Sequence, residues 1–503
     1  MKRSYSSGMA FALASFASIG VIVTITAVLT ARIYGVTVLG EGVLALAPVA
    51  IVTLLSTTRE QPAMVRVIAK LEPRDPAVTG IWLAVFSFSS LLTSVATALG
   101  IGASYLIFNG PIDHPDLFAP AAVALLSYLL IVNPAWNVDG VLGAFLAGKE
   151  LFAVRLHQAV MYGVLIVGLS FVDHSVWSLT FAYVGSWLTS LVHRLALLPR
   201  VVRLRVPRSE IRAGFAKLRE IVVFGLKITP GSIASGLSDS SGTWILGVSS
   251  TVNAVGAYSR ASMIATRLGE FNWRITEMLL PTLVQRQATG DTEGYNRVLA
   301  DSLRYVAFGL LLPAAVAGGA AEAVMAVVFG SAFAPAAGAL VWVLFAPVLQ
   351  SLTAIQGVVL ISANQPIWTT IAQIARLIVT VVAGVVLTNA LGMTGMGLAV
   401  ALGCFSSLAI FAIVIRSRAA FPSPRFASLL RQLVGLAAAY AGGFAVARAI
   451  TDNVDGVPGL VLALIMGSLA YVITAIAVGG TKDRDRARLR QLMVRASPRF
   501  APH

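Results

Sequence analysis

The chain has 503 residues, 57% of them hydrophobic and only 12% charged, with a formal net charge of +15 and one cysteine, Cys404. An ordinary soluble domain carries about 25% charged residues, so a water-soluble globular composition is excluded. A single cysteine excludes an intramolecular disulfide, and no Cys/His cluster has metal-ligand spacing, so neither a metal site nor a resident cofactor is expected.

The apolar residues come in long blocks. The first, MAFALASFASIGVIVTITAVLTA (9–31), follows Lys2 and Arg3. It is too long for the apolar region of a signal peptide and no small-residue cleavage site follows, so it reads as an anchor. A membrane span needs about 20 apolar residues. In chain order the blocks fall at 9–33, 40–58, 79–108, 118–146, 151–171, 175–198, 221–246, 256–284, 303–329, 333–360, 366–388, 393–415, 429–449 and 457–478. The fold class expected is all-α: a polytopic membrane protein with fourteen transmembrane helices. The division between 303–329 and 333–360, and the interruption NPAWNVDG (133–140), are the two places where the count is open.

The basic residues orient these spans. With the N-terminus in the cytoplasm, thirty of the 37 Lys and Arg fall in segments that face inward, at 59–78, 149–155, 194–219, 286–304, 416–431 and both termini. The outward loops FNGPIDHPD (108–116) and VDHS (172–175) have none. This is the positive-inside pattern, with both termini cytoplasmic. It accounts for the basic charge without nucleic acid, whose binding would not require arginines to alternate with crossings. The tail TKDRDRARLRQLMVRASPR suits anionic headgroups, or is a solvated stop-transfer tail.

The basic stretch PRVVRLRVPRSEIRAGFAKLRE (199–220) divides about six spans from eight. The organisation expected is an N-terminal lobe of spans one to six (1–200), a linker (201–220), a C-terminal lobe of spans seven to twelve (221–420), spans thirteen and fourteen (421–480), and a basic tail (481–503). A weak echo relates the lobes: VLGEGVLAL (38–46) opens the second span and AVGAYSRAS (254–262) the eighth. Repeated membrane units are typical of alternating-access transporters. Pro48, Pro134, Pro230, Pro313 and Pro347 lie in or near spans, where each removes a backbone donor. Bends of that kind suit an opening bundle and a static one equally.

Topology leaves seven basic residues unexplained. Arg32 and Arg448 fall at outer helix ends and Lys227 near an inner one, within snorkelling reach. Arg376 lies halfway along IWTTIAQIARLIVTVVAGVVL (367–387). Arg260, Arg267 and Arg274 repeat every seven residues, about 20° apart on a helix and about 10 Å per rung. Glu270 and Glu277 flank them at i+3. Either these groups neutralise one another in buried pairs, which stabilise poorly because both ions lose water, or they line a wet cationic cavity that holds an anionic group. Arginine's planar fork suits phosphate oxygens. Arg59 and Glu60, at the inner end of the second span, are candidates for a latch to the other lobe. Asp139, His157 and Asp239 are candidates for coupling, because intramembrane Asp and His recur in proton relays. The plainer readings are a headgroup-level residue for His157 and a local hydrogen bond for Asp239.

These features resemble the polysaccharide flippases of the multidrug/oligosaccharidyl-lipid/polysaccharide exporter (MOP) superfamily. The junction TARIYGVTVLGEGVLAL (30–46), then VGAYSRAS (255–262), LLPTLVQRQATGDTEGYNRVL (279–299) and FGSAFAPAAGALVWVL (329–344) carry the likeness in order. It covers nearly the whole chain and is strongest over 219–345. The resemblance implies two pseudo-symmetric six-helix lobes around a central cavity with two further C-terminal helices. It also implies export of a polyprenyl-diphosphate-linked oligosaccharide across the cell's inner (plasma) membrane, and cationic residues in the cavity. An acidic residue of the family's seventh helix falls here near Gly242, with Asp239 slightly earlier.

The function expected is therefore flipping of that lipid-linked oligosaccharide by alternating access, for surface polysaccharide or glycan assembly, without covalent chemistry. Its ligands would be Arg260, Arg267, Arg274 and Arg376. Its partners would be membrane lipids and glycosyltransferases or a polymerase of the same pathway. Sodium, protons or the membrane potential are all compatible as the coupling force. A lipid II flippase is the nearest alternative. A multidrug exporter would favour an acidic, aromatic cavity, and a lipid-linked-sugar polymerase would need larger outer loops than these.

Overall fold

The computed structural model describes the backbone of residues 5–478 except 146–148, 204, 227–228, 271–278, 280–282, 284–285, 287–288, 363–364, 366 and 419–425. Every regular element among the described residues is helical. The chain forms two compact units, Met1–Ser259 with Gln373–Gly392, and Arg260–Ala372 with Met393–His503.

The first unit begins with α1 (Tyr5–Leu55), α2 (Glu60–Ile68) and α3 (Pro76–Phe108). Next come α4 (Phe118–Ser127), α5 (Asn133–Phe145), α6 (Lys149–Ser170), α7 (Val176–Leu197), α8 (Arg208–Leu226), α9 (Thr229–Ser249) and the start of α10 (Val252–Gly269). The second unit holds the rest of α10, then α11 (Thr292–Gly319), α12 (Ala321–Val324), α13 (Ala337–Val343) and α14 (Phe345–Ser362). The ends of α15 (Ile367–Arg418), α16 (Phe426–Thr451) and α17 (Gly456–Ala477) complete it, while the middle of α15 packs in the first unit.

Local chemistry explains the irregular points. Asp75 caps α3, its carboxylate accepting from Ala77 N–H at 2.8 Å. Pro134 offers no N–H to the turn before it, and the chain answers with a π turn over Tyr128–Val132, where Asn133 N–H donates to the Tyr128 carbonyl. NPAWNVDG therefore continues a span rather than breaking it. Its asparagines bond inside the unit: Ser89 donates to Asn133 Oδ1 at 2.9 Å and Asn137 Nδ2 donates to the same oxygen at 3.0 Å, while Asn137 Oδ1 is buried without a partner among the described residues.

Between helices in lipid there is little hydrophobic drive, so close packing at small residues holds them together. In the first unit α1 and α10 meet at Gly40 and Gly256. A Cβ on Gly256 would lie 2.2 Å from the Val36 carbonyl oxygen, and one on Gly40 would lie 2.1 Å from that of Val252. In the second unit α16 and α17 approach through Gly443, Ala447 and Gly467. The Tyr471 hydroxyl donates to the Phe308 carbonyl at 3.0 Å, tying α17 to α11.

The fourteen-helix architecture with two six-helix lobes and a terminal pair is not what the structure carries. Among the described residues nine helices are long and apolar enough to cross a membrane, or ten if α8 and α9, bent by 54°, form one broken span. Three causes account for the difference. The blocks 9–33 and 40–58 lie in one uninterrupted run in which two helices meet across a kink at Gly35 (φ 74°, ψ 178°), and 366–388 and 393–415 lie in another, kinked at Gly392 (φ 57°, ψ −137°), each run counting once. Both glycines occupy left-handed backbone that a Cβ disfavours. The block 175–198 becomes α7, whose polar content keeps it outside the nine, and α10 covers Val252–Gly269, with most of the remainder of the block 256–284 outside the described residues.

Candidate functional site

Arg376 sits on the part of α15 that belongs to the first unit, against α9. Its side chain is 4% exposed, and its Nη2 donates to Asp239 Oδ1 at 2.5 Å while Nη1 reaches Ser235 Oγ at 3.5 Å. One turn on, Ser238 and Thr380 hydroxyls meet at 3.3 Å. The pair is lopsided, because Asp239 remains 57% exposed. A buried cation is thus held by a carboxylate that other cations or a proton can reach. Beside it lies an apolar cavity of about 570 Å³, lined by Ile51, Leu237, Trp244, Leu377, Ile378 and Val381 among others.

A second buried pair joins α5 and α7. Asp139 accepts two bonds from Arg194, from Nε to Oδ1 at 2.7 Å and from Nη2 to Oδ2 at 3.0 Å. Arg194 also donates to Ser190 Oγ and lies 5.5 Å from the Trp187 ring. Its side chain is 2% exposed and that of Asp139 21%. Such a fork-to-carboxylate bond is the strongest geometry an ion pair offers. His157 lies against His193, ring centroids 5.3 Å apart, with its Nε2 buried and without a hydrogen-bond partner among the described residues.

On α10, in the second unit, Arg267 pairs with Glu270 at 2.5 Å, both side chains 31% exposed. Arg260 Nη1 lies 3.8 Å from Met263 Sδ. Arg274 and Glu277, the remaining rungs of the ladder, lie outside the described residues, as does Lys227. Glu60 is turned into its own loop: its Oε2 accepts from Thr58 N–H at 2.7 Å, Thr58 Oγ1 at 3.0 Å and Thr57 Oγ1 at 3.2 Å. Arg59 beside it has left-handed backbone (φ 55°).

The arrangement brings Arg376 to Asp239, Arg267 to Glu270, and Asp139 to an arginine that sequence reasoning counted as cytoplasmic charge. Arg194 was concealed by its place near a helix end, in SLVHRLALLPR, where a topological role looks sufficient. Its spacing was the available signal: Ser190 stands one turn before it and Trp187 two turns before, a polar and aromatic stripe on one face of α7.

A family model described as "Polysaccharide biosynthesis protein" matches residues 84–338. No curated protein matches by sequence. Among solved structures, the lipid II flippase MurJ in an inward closed conformation superposes with a TM-score of 0.73 at 12% identity, covering 93% of this chain and 98% of that one. An inward-facing multidrug resistance transporter of the MATE family, MOP superfamily, gives a TM-score of 0.57 at 16% identity, covering 80% and 95%. An outward-facing MATE transporter of the same superfamily gives 0.55 at 15% identity, with the same coverage. At these identities the likeness establishes a shared fold.

Proposed function

The chain belongs to the polysaccharide biosynthesis protein family, and from that premise we propose that it carries a saccharide linked to a polyprenyl diphosphate from the cytoplasmic to the outer leaflet by alternating access. The observation that carries this reading is the fold it shares with a lipid II flippase over nearly its whole length. That likeness favours lipid II as cargo, while the family description favours a precursor of surface polysaccharide. Both cargos present the same recognition problem, a dianionic diphosphate between an isoprenoid chain and a hydrated sugar.

The chain has groups suited to each part. Arg376, Arg260, Arg267 and Arg274 are the proposed phosphate ligands, with Glu270 neutralising Arg267 while no phosphate is bound. At Arg376 the chemistry is an exchange. A phosphate oxygen replaces Asp239 on the guanidinium, and the displaced carboxylate, already half open, takes up a proton or sodium ion. With one proton or sodium ion taken up, that exchange limits the change in local charge to a single negative unit and avoids leaving a bare ion at depth, which costs about 2.5–3.5 kcal/mol even on gentle scales. The apolar cavity beside Arg376 suits an isoprenoid segment. With both termini cytoplasmic, export of negative charge gains about 2.3 kcal/mol per charge per 100 mV.

The test is flipping by the full chain in proteoliposomes, with labelled lipid II and a labelled polyprenyl-diphosphate oligosaccharide assayed in parallel. Transport of either above empty vesicles supports the reading, and the preferred cargo identifies the pathway. Transport of neither, by protein whose fold is verified, overturns it.

A further inference from the structure

Two of the basic segments, 59–78 and 194–219, come together in the first unit at α2 and α8. Between these helices lies a cavity of about 570 Å³, lined by Ala63, Arg66, Val67 and Lys70 from the first segment and by Ala216, Arg219, Glu220, Ile221, Val223 and Phe224 from α8. Its charged groups are three cations and one carboxylate. None of the three cations makes an ion pair among the described residues. Arg66 instead lies 4.9 Å from the centre of the Phe224 ring, which fixes the guanidinium over an apolar face.

The cavity is built on a rigid seat. Ala63, Met64 and Ile68 of α2 and Ile221 of α8 belong to one buried cluster with Val78 and Ile81 of α3. On α8, a Cβ at Gly214 would lie 2.1 Å from the Gly80 carbonyl oxygen, so α8 lies directly on α3. The outer face of α8 mixes Arg208, Arg212 and Arg219 with Phe215, Val223 and Leu226, which are 46%, 48% and 49% exposed. A helix face that alternates large apolar groups with arginines lies at a headgroup boundary, where the apolar groups enter the acyl region and the arginines meet phosphate.

The geometry points to a binding site for the phosphate headgroup of an anionic phospholipid in the cavity between α2 and α8. Arg66, Lys70 and Arg219 contact the phosphate, Val67, Val223 and Phe224 take the first acyl carbons, and Glu220 sets a limit on affinity. The lipid clasps α8 to α2, and none of these residues belongs to the site proposed for the cargo. Free phosphate offers the same charge but nothing for the apolar rim, and a zwitterionic lipid offers the rim contact without the net charge.

Native mass spectrometry of the full chain tests this, with phosphatidylglycerol, phosphatidylcholine of the same acyl chains, and inorganic phosphate as the three probes. Wild type retains phosphatidylglycerol over phosphatidylcholine, and inorganic phosphate at equal concentration does not displace it. A basic residue at a membrane surface is worth about fivefold in affinity, so R66Q/R219Q loses roughly 25-fold for phosphatidylglycerol and nothing for phosphatidylcholine. E220Q moves the other way and binds severalfold tighter, which a merely structural role would not produce. Equal retention of the two lipids, displacement by inorganic phosphate, or unchanged binding in both variants overturns the site.

Discussion

Asp139 on α5 and Arg194 on α7 are joined by two parallel N–H···O bonds at 2.7 and 3.0 Å, with the guanidinium almost wholly out of reach of solvent. Removing one member of a buried pair strands the other and costs about 3–5 kcal/mol, while replacing both with apolar groups of similar volume is often neutral. D139L and R194M are each expected to lower the unfolding temperature markedly, and the double variant D139L/R194M to recover most of the loss. Cys404 is the sole cysteine and is buried, so its labelling by a thiol dye during heating reports unfolding directly. Additive losses in the double variant would show that the two residues do not act as a pair.

Gly256 and Gly40 allow a backbone approach that any larger residue blocks. A Cβ 2.2 Å from a carbonyl oxygen must push the helices apart, and overpacking of that kind costs about 1–3 kcal/mol. G256A and G40A are expected to lower both the melting temperature and the yield of monodisperse protein. Gly102, whose Cβ would meet nothing within 4 Å, is the control. G102A should be neutral or stabilise by up to about 1 kcal/mol, the helix-propensity difference.

The same two glycines show what the sequence made legible. VLGEGVLAL and AVGAYSRAS stood out as an echo between lobes; what the structure shows of them is a different relationship, a close approach of α1 and α10 at Gly40 and Gly256. Periodicity found Arg376 and Arg267 as charges needing partners, because a cation within an apolar run has no bland explanation. Helical spacing also placed Glu270 within reach of Arg267, at i+3, and the two do pair, but it did not bring together Asp239 and Arg376, which are far apart in sequence. It also did not separate Arg194 from the topological arginines, because a residue three positions from a helix end satisfies the positive-inside pattern whether it is buried or not. The count of spans failed for a related reason. Hydropathy marks where apolar residues stop, whereas at Gly35 and Gly392 one helix gives way to the next across a kink with no intervening loop.

Asp291 supplies the pH-dependent element. It caps α11, its carboxylate accepting from Gly294 N–H at 2.8 Å. That bond first, and the Arg286 guanidinium with it, hold the carboxyl below its usual value of 3.8. A carboxyl depressed in the folded state contributes stability that is fully present above the unfolded value and is lost as pH falls through the lowered folded one. Exchange protection of the Gly294 amide is therefore expected to be flat above about pH 5 and to fall below the ordinary carboxylate range. D291A should remove that fall and begin at lower protection throughout, read by hydrogen exchange at the start of α11.

Arg376 and Asp239 differ most in exposure, and that difference separates structural from functional roles. Losing Asp239 leaves a 4%-exposed guanidinium without its carboxylate, whereas losing Arg376 leaves a carboxylate that is 57% exposed and stays hydrated. D239N should therefore cost about 1–3 kcal/mol of stability, below the full buried-pair penalty because one partner faces solvent. R376Q should cost under about 1 kcal/mol, in the range of exposed pairs. Transport is expected to rank the variants the other way. R376Q removes the proposed phosphate ligand and should reduce flipping at least tenfold, equivalent to about 1.4 kcal/mol. R376K keeps the charge without the planar fork and should fall between R376Q and wild type. D239N keeps the ligand and loses only the group that exchanges with it, so its flipping should persist but lose any dependence on a proton or sodium gradient. Proteoliposome flipping and Cys404-based melting, measured on the same preparations, separate the two rankings. If stability and transport fall in the same order across all three variants, Arg376 is a structural pair and its assignment to the diphosphate is wrong.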